Sequence, residues 1–130
     1  MTGSEEAGID IRIRCGTLSL AARLDLSETG RKVAAGLPFE SEAGRWGGEI
    51  YFEIPVVARL SPDARDVMQA GEIAYWPPGK ALCIFWGKTP SSLGDEIRAA
   101  SPVNVIGRMV GDPTLLERVQ EGDPILVEKA

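Results

Sequence analysis

From Ile9 onward the apolar positions fall on every second residue: Ile9, Ile11, Ile13 and Cys15 alternate with Asp10, Arg12 and Arg14. After Gly16-Thr17 the alternation resumes with Leu18, Leu20, Ala22 and Leu24 opposite Ser19 and Arg23. A period of two places each apolar set on one face of a strand, so the stretch predicts a hairpin. Glycine in the first of the loop positions suits a type II′ turn. Cys15 shares the phase of the isoleucines, which predicts a packed structural thiol and not a reactive one. Ser27 is placed to accept from the free amides of a helix over about Glu28 to Ala35, with Gly36 as a left-handed terminator and Pro38 barring continuation. Gly30 weakens this helix by ~1 kcal/mol, so it depends on packing of Val33, Ala34 and Leu37. A glycine-rich loop from Glu42 to Gly48 leads into Glu49 to Ile54, where Ile50, Phe52 and Ile54 share one face and Glu49, Tyr51 and Glu53 the other. That pattern predicts a strand with one wet side.

Ser61-Pro62-Asp63 has the residues that open a helix, here through about Met68. The densest apolar and aromatic stretch comes next, Gly71 to Gly87, broken once by Pro77-Pro78-Gly79. The prolines bar a central ladder and Gly79 suits the positive φ of a type II turn, so two strands meet there at a stiff corner. Between Lys80 and Gly87 neither side is polar, which predicts a central strand. Gly87 to Ser101 is polar and predicts a loop. Pro102 to Val110 is a mostly apolar strand interrupted by Asn104. Asp112 and Pro113 open a third helix that carries Leu115, Leu116 and Val119 inward and ends at Gly122, before a last strand over Pro124 to Lys129. About seven short strands with two or three short helices predict a mainly β protein, a closed antiparallel β-barrel.

Composition narrows the chemistry. The chain has 130 residues and no histidine, so no Ser-His or Cys-His nucleophile pair, HExxH zinc site or imidazole base is available. Catalysis would have to use carboxylates, lysine, tyrosine or arginine. The length fits one domain, residues 9–130, after a small acidic stretch over 1–8 that predicts a frayed terminus. That stretch lacks the basic and apolar regions of a secretory signal, so the expected compartment is the cytoplasm, where Cys15 and Cys83 stay reduced. No apolar run approaches the ~20 residues of a membrane span. A net charge of −5 and a pI of 4.8 argue against nucleic acid as a partner.

The candidate site residues are few, and each has a structural alternative. Arg45-Trp46 between glycines, with Tyr51, Tyr75 and Trp76, could form an aromatic and cationic recognition patch, against simple core packing. Lys80 beyond the corner could meet an anionic ligand, against solvation of a strand end. Asn104 on an apolar strand must bond either backbone groups or something entering a cavity. Glu49 and Glu53 invite a glycosidase reading, but ~13 Å separates two residues four apart on a strand, beyond either glycosidase geometry. They are expected to face solvent. Gly87-Lys88-Thr89 matches the end of a phosphate loop, yet Leu82 stands where its first glycine is needed and Pro90 blocks the helix that must come after it. No metal site and no cofactor is expected.

The order of elements resembles that of cyclophilins: hairpin, helix, glycine-rich loop, aromatic strand, then strand, helix and strand. The best local match is Val105-Ile106-Gly107-Arg108-Met109-Val110 ahead of the last helix. A closer resemblance is to small prokaryotic cyclophilin-like proteins of uncharacterised function. It is carried by Tyr75-Trp76-Pro77-Pro78-Gly79-Lys80-Ala81-Leu82-Cys83, Trp46-Gly47, Glu49-Ile50-Tyr51-Phe52 and the run Ala100 to Gly107. The resemblance implies the cyclophilin-like barrel. It does not carry the isomerase residues. Cyclophilins present an arginine in a Phe-His-Arg context, whereas the stretch here reads Ile50-Tyr51-Phe52-Glu53-Ile54-Pro55, a carboxylate in place of the guanidinium. Ionised Glu53 can only accept a hydrogen bond. The pocket histidine would fall near Val103, and Pro77-Pro78-Gly79-Lys80 replaces the turn before the aromatic strand. The expected role is a binding module for a small molecule or peptide, monomeric or homodimeric. The alternatives are a weak or diverged peptidyl-prolyl isomerase, and an interaction protein whose aromatic rim meets a second copy or another chain.

Overall fold

The first alternating stretch folds as a hairpin. In the computed structural model, which describes residues 8–130, β1 (Ile9–Cys15) pairs antiparallel with β2 (Leu18–Leu24), with Cys15 opposite Leu18 and Gly16 at φ 61°. The frayed terminus expected over 1–8 lies outside the described residues except for Gly8. The helix α1 (Glu28–Ala35) is capped as expected, with Ser27 Oγ accepting from the Gly30 amide at 3.0 Å. Gly36 ends it in the right-handed region, φ −89°, and its amide bonds back to Ala34 and Val33, so no left-handed terminator is used.

Strands β3 (Phe39–Glu42), β4 (Gly44–Arg45), β5 (Glu49–Glu53), β6 (Arg65–Met68), β7 (Glu72–Trp76), β8 (Ala81–Phe85), β9 (Ile97–Val110) and β10 (Pro124–Lys129) complete the sheet. Its hydrogen-bonded path runs β3-β10-β1-β2-β9-β7-β8-β5-β4, with β6 joined to the outer part of β9. The strands pair antiparallel throughout the described residues.

The closed barrel is corrected to an open, mainly antiparallel sheet. Its end strands β3 and β4 are consecutive in the chain, with Ala43 between them. Ala43 bonds to the β10 side, donating to Asp123 O at 2.8 Å and accepting from the Gly122 amide at 2.8 Å. The next residues already pair with β5, so no ladder spans the seam.

Other expectations also change. Residues 65–68 form strand β6 and not a helix, because Arg65, Val67 and Met68 pair with β9 and the Arg65 guanidinium reaches back to Glu72 at 2.6 Å. The capping signature at Ser61 produces only a turn. The corner Pro77–Gly79 is a short 3-10 turn, and Lys80, not Gly79, takes the positive φ of 49°. Part of the expected loop before Ser101 belongs to β9, which starts at Ile97. The third helix is a 3-10 segment, Pro113–Arg118, capped by Asp112.

Burial divides between two faces. Ile11, Ile13, Leu24, Val33, Ile50, Phe52, Ile73, Tyr75, Leu82, Ile84 and Ile106 fill the main core. Ala74, Cys83 and Phe85 point the other way and pack with Met68, Ala99 and Val103. Strands β7 and β8 are therefore covered on both sides, the physical reason for their lack of a polar face. Each fully buried large side chain contributes about 1.5–3 kcal/mol of transfer free energy. No helix among the described residues is long and apolar enough to cross a membrane.

Candidate functional site

The smaller apolar cluster does not fill its face of the sheet. Beside it lies a groove of about 290 Å³, lined by the aromatic side chains of Trp46, Tyr51 and Trp76, by Cys83, Ala99, Ala100 and Val103, and by one acid, Glu49.

Local structure explains how these side chains meet. The chain enters β5 through a turn in which the Trp46 amide donates to Glu49 O at 3.0 Å. Gly48 crosses Gly87 so closely that a Cβ would sit 2.4 Å from the Gly87 carbonyl carbon, and only glycine allows this contact. The crossing is held by Gly48 N to Lys88 O at 2.7 Å and Trp86 N to Gly48 O at 2.8 Å. It brings Trp46 and Glu49 to the end of β8. Along β5 the pleat repeats Glu49, Tyr51 and Glu53 on one side, and Tyr51 stands opposite Cys83. Trp76 closes β7 opposite Ala81, with its indole Nε1 donating to Ser101 Oγ at 2.7 Å.

The aromatic rings are seated on glycines. A Cβ at Gly44 would lie 2.4 Å from Tyr51 Cζ, and one at Gly79 would lie 2.7 Å from the Trp76 ring. Tyr51 and Trp76 also border a second, more open concavity with Gly44, Glu53 and Gly79, so the two rings stand between the two hollows.

Glu49 is the unusual group. It is only 5% exposed, and its Oε1 has no hydrogen-bond partner among the described residues. Burial pushes its pKa up to about 7, and a hydrogen bond with the Cys83 thiol opposes the rise only in part. The same burial, and then the neighbouring carboxylate, push the Cys83 thiol well above its ordinary range. Cys83 is thus a neutral donor and not a nucleophile. No arginine or lysine lines the groove.

Of the residues singled out in the sequence, Trp46, Tyr51 and Trp76 come together here, and the other four lie elsewhere. Arg45 is a clip: its guanidinium donates to Val119 O at 2.8 Å and to Glu117 O at 3.2 Å, pairs with the Glu117 carboxylate at 3.1 Å and lies 5.1 Å from the Trp86 ring centroid. Tyr75 is in the main core and donates to Val56 O at 2.5 Å. Lys80 faces Glu53 at 4.0 Å with both side chains well exposed. Asn104 is buried and fully engaged. Its Oδ1 accepts from the Ser61 amide at 2.7 Å, and its Nδ2 donates to Arg59 O at 2.8 Å and Thr29 Oγ1 at 3.1 Å.

The solvent-facing pair Glu49 and Glu53 is corrected in its first member. Glu53 is exposed, but Glu49, at the strand end where the Trp46 amide bonds to its carbonyl, is only 5% exposed. The groove also uses Glu49, set aside along the chain as solvent-facing, and Cys83, Ala99, Ala100 and Val103, which did not stand out as candidates. The available signal was the β5 to β8 register, which sets Cys83 beside Tyr51, together with a pair of small residues ahead of Pro102. Among the described residues no cluster of three or more acidic or cysteine side chains could hold a metal ion.

Comparison with known proteins agrees with this architecture. The cyclophilin-like family model matches residues 9–128. The solution structure of a hypothetical protein from Archaeoglobus fulgidus is 42% identical, with 95% of this chain and 96% of that chain covered and a TM-score of 0.81. No match is found among curated proteins. The chain belongs to the cyclophilin-like family, with the open sheet described above and a groove whose lining brings a buried glutamate together with three aromatic side chains.

Proposed function

We propose that the chain is a binding module whose groove receives a small molecule and performs no prolyl isomerisation. The observation that carries this reading is a single acid with an unpaired oxygen, buried among aromatic and small apolar side chains in a groove of about 290 Å³. Ligand sites combine apolar walls with a few orienting polar groups in this way, and this volume lies near the lower end of their usual range of roughly 300–1,000 Å³. A compact ligand is favoured over a long peptide.

Isomerase chemistry needs a donor poised over the twisted prolyl amide. None of the side chains lining the groove is cationic, and Glu53, which stands for the cyclophilin arginine, faces Lys80 outside it. Cis/trans exchange in a proline peptide, tracked by NMR, should be unchanged on adding protein. Accelerated exchange would revive the isomerase alternative.

Binding itself is tested with small apolar fragments by ligand-observed NMR. Ala100 is exposed and lines the groove, so Ala100→Phe should fill it without disturbing the core. Fragments should bind the natural protein and not the variant. Equal binding to both would place any site elsewhere.

A further inference from the structure

An unpaired acid oxygen in a groove lined by no lysine or arginine leaves a place for a partner from outside the chain. We infer that the groove takes a small organic cation, an alkylated ammonium, with Glu49 as its counter-charge and Trp46, Tyr51 and Trp76 as its aromatic surround.

The inference rests on the groove being a ligand site and names the ligand's charge. Three observations point the same way. First, Glu49 is buried, and its Oε1 has no hydrogen bond from any described residue. Leaving such an atom unpaired is costly, so an occupant that offers positive charge or a donor relieves it. Second, aromatic side chains with a carboxylate suit a weakly hydrated cation, because ring quadrupoles attract positive charge and alkyl groups fill apolar space. A metal ion would want several oxygen ligands, and the groove supplies one acid. An anionic ligand would meet Glu49 with no lysine or arginine to offset it. Third, the net charge of −5 favours approach of a cation.

The titratable group that bears on Glu49 from the neighbouring strand is the Cys83 thiol, which burial keeps neutral. No other described side chain competes for the acid. A bound cation would draw Glu49 toward its ionised form, so affinity should rise from pH 6 to pH 8, across the value of about 7 that burial sets.

The test compares choline with 3,3-dimethylbutanol, its uncharged isostere, by NMR titration at pH 8. Choline should bind at least about tenfold more tightly than the isostere, with Glu49→Gln lowering choline affinity by a similar factor and leaving the isostere unchanged. The amide spectrum of the variant reports whether it is folded, and Glu49→Asp, which keeps the charge, should retain part of the affinity. Equal or tighter binding of the isostere would overturn the inference while leaving a neutral ligand site in place. Failure of both probes and of the apolar fragments would overturn the site itself. Tighter binding of a trimethyllysine peptide than of choline would overturn the small-molecule assignment.

Discussion

Glu49 and Asn104 show how differently two buried polar residues behave. Asn104 satisfies each of its groups, so truncation should leave the Ser61 amide, Arg59 carbonyl and Thr29 hydroxyl without their partner. Asn104→Ala should therefore cost about 2–4 kcal/mol in urea unfolding while leaving fragment binding at the groove intact. A loss below ~0.5 kcal/mol would show that these bonds are replaced by water.

Glu49 is held against its own ionisation. The folded protein keeps the proton to about pH 7, whereas an unperturbed glutamate loses it near 4.5. Folding is therefore favoured by this group below 4.5, and the advantage falls away as pH rises between 4.5 and 7. The difference amounts to at most about 3 kcal/mol. Melting temperature against pH should show this decline in the natural protein, and Glu49→Gln should remove it. Acid destabilisation should persist in the variant, because Glu96 is held down to about pH 2, first by the Leu93 amide and then by Arg98. An unchanged decline in the variant would mean that another group titrates there. The alternation of β5 predicted a wet glutamate because local pattern carries no information about which distant segments gather at a strand end. Asn104 was legible as a buried polar group, though not its partners, which lie 43, 45 and 75 residues away in the chain.

At the level of elements, glycines decide where strands and rings approach. A Cβ at Gly107 would lie 2.3 Å from Arg23 O in the β2 to β9 ladder, where neither backbone can retreat cheaply. Gly107→Ala should cost about 3 kcal/mol, measured by denaturant unfolding. At Gly44 the obstacle is the Tyr51 ring, part of a side chain 39% exposed that can swing aside. Gly44→Ala should cost at most about 1 kcal/mol yet weaken ligand binding by displacing one wall of the groove. Equal stability losses at the two positions would contradict this division. The strands themselves were legible because a period of two dominates the chain. Ser61-Pro62-Asp63 misled because capping chemistry sets only how a turn begins, while pairing of Arg65, Val67 and Met68 with β9 makes the next segment a strand. The corner after Trp76 was legible, but its positive φ moved to Lys80 because Pro77–Gly79 winds as a 3-10 turn.

Across the whole molecule the fold arises from one sheet whose hydrogen-bonded ends, β3 and β4, come from consecutive chain and do not pair. The sequence pattern could not distinguish this from full closure, since each strand reads the same along the chain in either case. The family was readable from the runs around Trp46, Trp76 and Gly107. The groove was only half readable: its aromatic side chains stood out, but its acid did not. The three tryptophans supply the most direct measurement, because Trp46 and Trp76 line the groove while the Trp86 indole is outside it, donating to Glu117 Oε2 at 2.7 Å. In a ¹H–¹⁵N titration with choline, the indole signals of Trp46 and Trp76 should move to saturation while that of Trp86 stays fixed. A saturable response at Trp86 with the other two unmoved, or none of the three moving, would contradict a ligand site built on Glu49.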